Sequence, residues 1–275
     1  MSFIDRVTGL LGEVIAREVM GRFRQLRASD ILGKQSAEDP DDVVTVVDHD
    51  VEERLTPALR ALLPGSVVIG EEAVHAHPEI LQGLGGAAPV WLVDPIDGTK
   101  NFARGEDTFG VMVALVQNGT TRAAWIALPA RGQTFVAEAG SGAEVDGQRV
   151  RTRRAPADAV PRGTVYTHFM PRHLADAAEL AMKGRYTPQD GPGAAAIEYT
   201  SLIRGEKELV VYYRLQPWDH AAGALLLTEA GGAAIHLDGA PYRPHSRSQV
   251  TILGASPGLC GTVRGWWRDA AERPR

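Results

Sequence analysis

The sequence predicts an α/β protein in which sheets lie between layers of helix, and three observations carry that prediction. Short apolar runs rich in β-branched residues, such as "SVVIG" and "PVWLVD", read as buried strands. Apolar residues at helical spacing, beginning with Phe3, Ile4, Val7, Leu10, Leu11, Val14 and Ile15, read as amphipathic helix. The two kinds of segment mix along the whole chain, without internal repeats or low-complexity tracts.

Taken in order, the opening helical stripe continues through Val19, Met20, Phe23 and Leu26. "SAEDPDD" reads as a polar loop and "VVTVV" as a short extended piece; a helix is expected from about Val51 until the "PG" at Pro64–Gly65 stops it. Strands follow at "SVVIG" and "PVWLV", and Thr108 to Glu138 reads as an antiparallel meander with turns at "NGT" and "ARG". The polar, arginine-rich "GAEVDGQRVRTRRAPADAVP" is expected to be the crossing between two units, residues 1–150 and 151–275. Its run Arg149 to Arg154 is expected to be a solvated face.

The second half alternates more regularly. "GTVYTHF" reads as strand, "PRHLADAAELAMKG" and "GAAAIEYTSLIRG" as helices, "ELVVYYR" as strand, and "WDHAAGALLLTEAGG" as helix. "AAIHL" and "QVTILGAS" read as strands before a closing helix in "PGLCGTVRGWWRDAA", where Trp266 is expected in the core and Trp267 at an interface.

Composition narrows the function classes. The chain has 275 residues, 44% hydrophobic and 23% charged, as in an ordinary globular protein with a sizeable core. A formal net charge of -5 argues against coating a nucleic-acid polymer. One cysteine, Cys260, excludes an intrachain disulfide and any cysteine-based zinc or iron–sulfur site. Neither a signal peptide nor a membrane span is legible near the N-terminus, so a cytoplasmic location is expected.

Chemistry is concentrated in three acidic clusters: Glu71–Glu72 after "VVIG", Asp94 and Asp97 in "VWLVDPIDGTKNF", and Asp219 in "PWDHAAG". Two lie at strand ends and one opens a helix, where α/β proteins place ligands. Carboxylates and a backbone carbonyl are hard donors suited to Mg²⁺ or Mn²⁺. A pair of such ions about 3.5–4 Å apart can clamp a phosphate and activate water. Pro95 and Gly98 allow Asp94, the Ile96 carbonyl and Asp97 to converge, the Gly98 and Thr99 amides to cradle a phosphate oxygen, and the Thr99 hydroxyl to orient a water. Each cluster also has a plainer reading: "DPIDG" as a turn, Glu71–Glu72 as a helix N-terminal pair, Asp219 as an N-cap, and "HAH" at His75 to His77 as a surface loop instead of a zinc site.

"WLVDPIDGTKNF" followed by "PWDHAAGALLLTEAGG" resembles the two signature motifs of the inositol monophosphatase family, Mg²⁺-dependent and often lithium-sensitive phosphatases. "DDVVTVVDHDVEERL", "VVIGEE" and "GPGAAAIEY" extend the resemblance over the whole chain. It implies a layered α-β-α-β-α sandwich of the sugar-phosphatase type, a homodimer, Mg²⁺ as cofactor with Mn²⁺ as substitute, and inhibition by Li⁺. By the same resemblance Glu71, Asp94 and the Ile96 carbonyl hold a first metal, Asp94, Asp97 and Asp219 a second, and Glu72 assists a third. Catalysis falls to Glu71, Thr99 and Asp48, and substrate contact to Asp97, Gly98, Thr99, Gly193, Ala194, Ala195, Tyr212, Arg214 and Asp219.

The sequence departs from the family pattern on the substrate side. Inositol enzymes of the family carry a glutamate seven residues before the helix aspartate, where this chain has Tyr212. Arg214 and Tyr213 nearby suit an anionic or planar group, or simply end a strand. Lys100 replaces a small hydroxyl residue, as in relatives acting on nucleotide bisphosphates or histidinol phosphate. The expectation is therefore a phosphate monoesterase with an open alcohol half; the alternatives are a bisphosphate nucleotidase, a histidinol-phosphatase-like member, or an inactive metal- or phosphate-binding relative.

Overall fold

The computed structural model describes residues 1–33, 43–153 and 159–271. The "SAEDPDD" loop and Arg154 lie outside the described residues.

Helix α1, Phe3–Val14, opens with a capping box: the Asp5 amide donates to Ser2 Oγ at 3.0 Å, and the Ser2 amide to Asp5 Oδ2 at 2.8 Å. It widens into a π-helical turn at Ile15–Val19. Helix α2 runs Val46–Leu62, starting five residues before the expected Val51. A second capping box explains the difference, because Thr45 Oγ1 accepts from the Val47 amide at 3.1 Å and Asp48 Oδ2 from the Thr45 amide at 2.8 Å. That box outweighs the extended preference of the two valines.

Strands β1, Ile31–Gly33, and β2, Val43–Thr45, form a small antiparallel ribbon. A seven-stranded sheet follows in chain order: β3 Val67–Gly70, β4 Val90–Asp97, β5 Gly110–Gln117, β6 Thr120–Leu128, β7 Gln133–Glu138, β8 Gly142–Val145 and β9 Gln148–Val150. Only the β3–β4 pair in this sheet is parallel. The segment expected to be an interdomain crossing instead begins with the β8–β9 hairpin, whose turn residues Asp146 and Gly147 both have positive φ, 50° and 75°. Asp-Gly is the signature of that two-residue turn, and its arginines concealed it.

A five-stranded sheet is built from β10 Arg162–Val165, β11 Thr187–Pro188, β12 Leu209–Arg214, β13 Ala233–His236 and β14 Ser248–Gly254, in the order β11-β10-β12-β14-β13. Helices α3, Glu71–Ala76, and α4, Thr99–Ala103, are short; α5 Arg172–Met182, α6 Ala195–Arg204, α7 Pro217–Glu229 and α8 Pro257–Ala271 complete the fold.

Period-two alternation sorts the strands into layers. Trp91, Val93, Val113 and Trp125 face α1 and α2 through Val7, Leu11, Val47, Val51 and Leu55. Leu92, Met112, Ala114 and Ile126 point the other way, onto Ala196, Leu202, Leu226 and Leu227 of α6 and α7, and these also meet Val210 and Leu253 of the second sheet. That sheet's outer side chains Leu209, Val211 and Ile252 pack under α5 and α8 through Ala178, Met182, Val263 and Trp267. The result is the five-layer α-β-α-β-α sandwich. Each fully buried aliphatic side chain contributes about 1.5–3 kcal/mol.

The middle helices are buried nearly all round because sheets cover both sides. They approach closely at Gly223, where a Cβ would stand 2.1 Å from the Tyr199 ring. On α8 the core position expected of Trp266 falls to Trp267. Val263, Trp267 and Ala270 share the face toward the sheet at helical spacing, so Trp267 is buried, while Trp266 is half-buried 5.9 Å from the Arg185 guanidinium.

Candidate metal and phosphate site

Strand register brings the first acids together. Parallel pairing aligns Gly70 of β3 with Val93 of β4, so the next residues, Glu71 and Asp94, emerge side by side at the carboxyl ends. The β4–β5 pairing then shifts between Asp94 and Asp97, at Pro95, which has no amide to give a ladder. Gly98 turns the chain into α4 with φ 83°, and a Cβ there would lie 2.9 Å from Ala194 Cβ and 3.0 Å from the Thr108 carbonyl. Only glycine fits that turn.

Two hydrogen-bonded arms grow from this turn. The Thr99 hydroxyl lies 2.8 Å from the Ile96 carbonyl and 3.1 Å from Asp48 Oδ1; Asp48 Oδ2 accepts from Thr45 Oγ1 at 2.6 Å. Asp97 accepts from the Ala195 amide at 3.0 Å and the Ala196 amide at 2.6 Å, so it caps α6. The small residues of "GPGAAA" therefore serve the close approach of chain to chain. Asp219 is the third residue of α7, whose N-cap is Gln216.

These groups line one cleft of about 700 Å³. Its acids are Glu71, Asp94, Asp97 and Asp219, joined by Ile96, Gly98, Thr99, Gly193, Ala194, Ala195, Tyr212 and Arg214. Glu72 is buried and does not line the cleft, and Asp48 stands behind Thr99. The four acids border a shared space without meeting at one point: among the described residues, no three His, Cys, Asp or Glu side chains form a ready-made metal cluster. His75 and His77 are exposed, and His77 Nδ1 is 3.4 Å from Glu79 Oε1.

Burial dominates the electrostatics. Asp94 is 2% exposed, and its carboxyl is pushed well above the ordinary carboxylate range, first by burial and then by the charges of Glu71, Asp97 and Asp219. Burial raises Asp97 to about 7 against the opposing pull of the Ala196 and Ala195 amides. It also raises Asp48 to about 7, against the Thr45 hydrogen bonds. His220 is driven down to about 3 by burial and its Nδ1 sits 3.1 Å from the Tyr199 hydroxyl, a neutral packing role.

The residues fit a hard cation. Asp94 Oδ1 is buried without a hydrogen-bond partner, four carboxylates line the same cleft, and these acids and the Ile96 carbonyl offer oxygen donors, with His75, His168 and His220 also on the cleft wall.

Two positioning residues were not legible in the sequence. Glu52 of α2 accepts from the amides of Glu72 and Ala73, both at 2.9 Å, and a Cβ on Gly70 would sit 2.1 Å from the Glu52 Cδ. The glycine before "EE" is the only local hint. Asn101 Nδ2 donates to the carbonyls of Thr108 and Pro192, each at 2.7 Å, and ties the "GPG" loop to the Gly98 turn.

Five alternating layers with oxygen donors at two strand ends and a helix start define a layered α/β phosphatase. The model of the inositol monophosphatase family matches residues 6–264. Similar proteins include an inositol-1-monophosphatase of Mycobacterium leprae, 34% identical over 82% of this chain and 77% of that protein. A Nus factor SuhB of Pseudomonas aeruginosa is 31% identical over 76% of this chain and 78% of that protein. A solved structure of an IMPase from Thermotoga maritima superposes with a TM-score of 0.79 at 25% identity, covering 99% of each chain. The chain belongs to the inositol monophosphatase family and is a phosphoric monoester hydrolase.

Proposed function

We propose that the chain hydrolyses a small phosphate monoester with Mg²⁺ as its cofactor, and the observation that carries this is the partnerless, buried Asp94 Oδ1 among three further cleft carboxylates. Glu71, Asp94 and the Ile96 carbonyl would hold one ion, and Asp94, Asp97 and Asp219 a second; Glu72, outside the cleft, is proposed only for a third, weakly held one. When bound, the ions neutralise phosphate charge and make water more acidic. Mn²⁺ is the proposed substitute and Li⁺ the proposed inhibitor.

The chain's own residues supply positioning and proton handling. Glu71 orients the attacking water from the end of β3. Thr99 Oγ1 accepts a proton from that water while passing its own to Asp48 Oδ1, and Asp48, raised to about 7, can hold it near neutral pH. The Ile96 carbonyl, 2.8 Å from the same hydroxyl, competes for that single proton, which must turn to Asp48 Oδ1 for the transfer. Asp97, held by two amides, keeps its carboxylate aimed at the cleft. Gly98, Thr99, Gly193, Ala194 and Ala195 are proposed to border the phosphate, and Tyr212 and Arg214 the alcohol half. A buried Cys260 thiol pushed up to about 12 has no part in catalysis.

The alcohol half remains a choice among inositol, sugar, nucleotide and histidinol. In the proposed division, residues 1–150 carry Glu71, Asp94 and Asp97, and residues 151–275 bring Asp219 and the leaving-group wall. A cytoplasmic homodimer is proposed, without nucleic acid or membrane as partner. Among the described residues no helix is long and apolar enough to cross a membrane. Phosphate release from a panel of such esters, with and without Mg²⁺ and beside Asp97→Asn, tests the reading. Turnover that ignores Mg²⁺ or survives the substitution contradicts it.

A further inference from the structure

The "HAH" stretch is not the surface loop expected of it. Its first two residues end helix α3, and His77 caps that helix, its amide donating to the Ala73 carbonyl at 2.8 Å. Residues two apart on a helix do not face each other, so the two histidines make no zinc pair of their own. His77 stands beside Glu79, with Nδ1 3.4 Å from Glu79 Oε1. His75 instead lines the cleft that holds the four acids.

The place of His75 on that wall is set by its neighbours. Glu71, Val74, His75 and Pro78 are three or four residues apart in turn, and all four line the cleft, so a single face of α3 and its exit borders it. Val74, 6% exposed, anchors this face in the core, and Glu52 holds the helix start through the amides of Glu72 and Ala73, both at 2.9 Å. His75 therefore stands one helical turn beyond Glu71 on the same side. Two ligating side chains at i and i+4 of a helix can close on one ion, as in the helical zinc motif. The imidazole is exposed, which leaves it room to turn toward an ion beside Glu71.

A second observation points to the same place. Strand register sets Asp94 beside Glu71, and the buried Asp94 Oδ1 has no hydrogen-bond partner. Two carboxylates and an imidazole are the oxygen and nitrogen donors that Zn²⁺ takes, whereas Mg²⁺ takes oxygen alone. Cys260, which is buried, offers no competing thiol. Resting on the reading of this cleft as a metal site, we infer that His75 is a nitrogen ligand for Zn²⁺ bound with Glu71 and Asp94, a second metal chemistry that Mg²⁺ does not use. The two ions then compete for the same carboxylates, and Zn²⁺ binds the more tightly because imidazole suits it.

The test is calorimetric titration of Zn²⁺, and separately of Mg²⁺, into the chelator-treated full chain, His75→Ala and His77→Ala, with the imidazole nitrogens followed by NMR. The wild type is expected to bind Zn²⁺ saturably, and saturating Mg²⁺ to weaken that binding. Zn²⁺, but not Mg²⁺, should shift the ring-nitrogen signals that His75→Ala deletes. His75→Ala should lose at least about tenfold in Zn²⁺ affinity and keep its Mg²⁺ affinity within about twofold, since only the nitrogen donor is gone. His77→Ala should keep both. Zn²⁺ binding that survives His75→Ala, Zn²⁺ binding that His77→Ala abolishes, or a Mg²⁺ affinity that falls in step with that for Zn²⁺ would overturn the inference, and Mg²⁺ binding by the wild type would leave the phosphatase reading standing. A wild type that takes Zn²⁺ through His75 but no Mg²⁺ supports the inference and contradicts the Mg²⁺ reading; one that binds neither ion defeats both.

Discussion

Asp94 and Glu198 are both buried carboxylates, and the chain treats them in opposite ways. Glu198 receives a lysine ammonium at 2.5 Å and a tyrosine hydroxyl at 2.8 Å from its own fold. Asp94 has an oxygen with no hydrogen-bond partner and three acids as cleft neighbours. A buried charge persists only when something offsets it. Where the fold supplies the cation at contact distance, the acid is structural; in the cleft, where Lys100, Arg214 and Arg247 share the wall with four acids, we propose that a cation from solution completes the offset.

The largest effect expected from breaking this contrast is at Asp94. Asp94→Asn should lower Mg²⁺-dependent phosphate release by about a thousandfold, the scale of losing a transition-state electrostatic group. Thermal denaturation in chelator should show the opposite sign, with a raised Tm, because the cost of burying that carboxyl among three other acids has been removed. A lowered Tm would mean that Asp94 already has its compensation within the chain.

The same crowding has a pH signature. Asp48, Asp97 and Glu52 are each raised to about 7 by burial, from ordinary values near 4. The folded protein therefore holds protons there that the unfolded chain releases. Their stabilisation is complete below about pH 4 and is lost as pH rises toward about 7, amounting to several kcal/mol. Urea unfolding of chelator-treated protein should show stability from these groups falling across that window, and Mg²⁺ should restore part of it at pH 7. A flat profile would show that the acids are not strained.

Glu198→Gln, on the other side of the contrast, should destabilise the fold by about 3–5 kcal/mol, because Lys207 is left buried and uncompensated. Denaturant unfolding measures it, and a loss under 1 kcal/mol would show that Lys207 reaches water. The smallest effect expected is at Asn101→Ala. It unpairs the Thr108 and Pro192 carbonyls and should cost about 1–3 kcal/mol. It should also raise KM through the loosened "GPG" loop; an unchanged KM would separate that loop from substrate binding.

Features carried by contiguous residues were legible before the structure. "VWLVDPIDG" announces a buried strand, a break and a glycine turn, and the resemblance covers both signature motifs, so the layered architecture followed. The start of α2 was misplaced because two β-branched valines hide a capping box that becomes clear only when Asp48 is seen beside Thr45. The β8–β9 hairpin was hidden by its charge, although Asp-Gly marked its turn. Glu52 could not be found, since its partners are amides twenty and twenty-one residues away that carry no side-chain signature. The Lys207–Glu198 ion pair and the Tyr166 hydroxyl that donates to Glu198 join elements scattered over the second half, and each of these residues looks ordinary among its sequence neighbours.

Calorimetric titration of Mg²⁺ into the wild type and into Asp94→Asn, without substrate, tests the central claim most directly. The account predicts saturable binding to the wild type and at least a tenfold weaker affinity in the variant. Equal binding by both proteins, or none by the wild type, would contradict it.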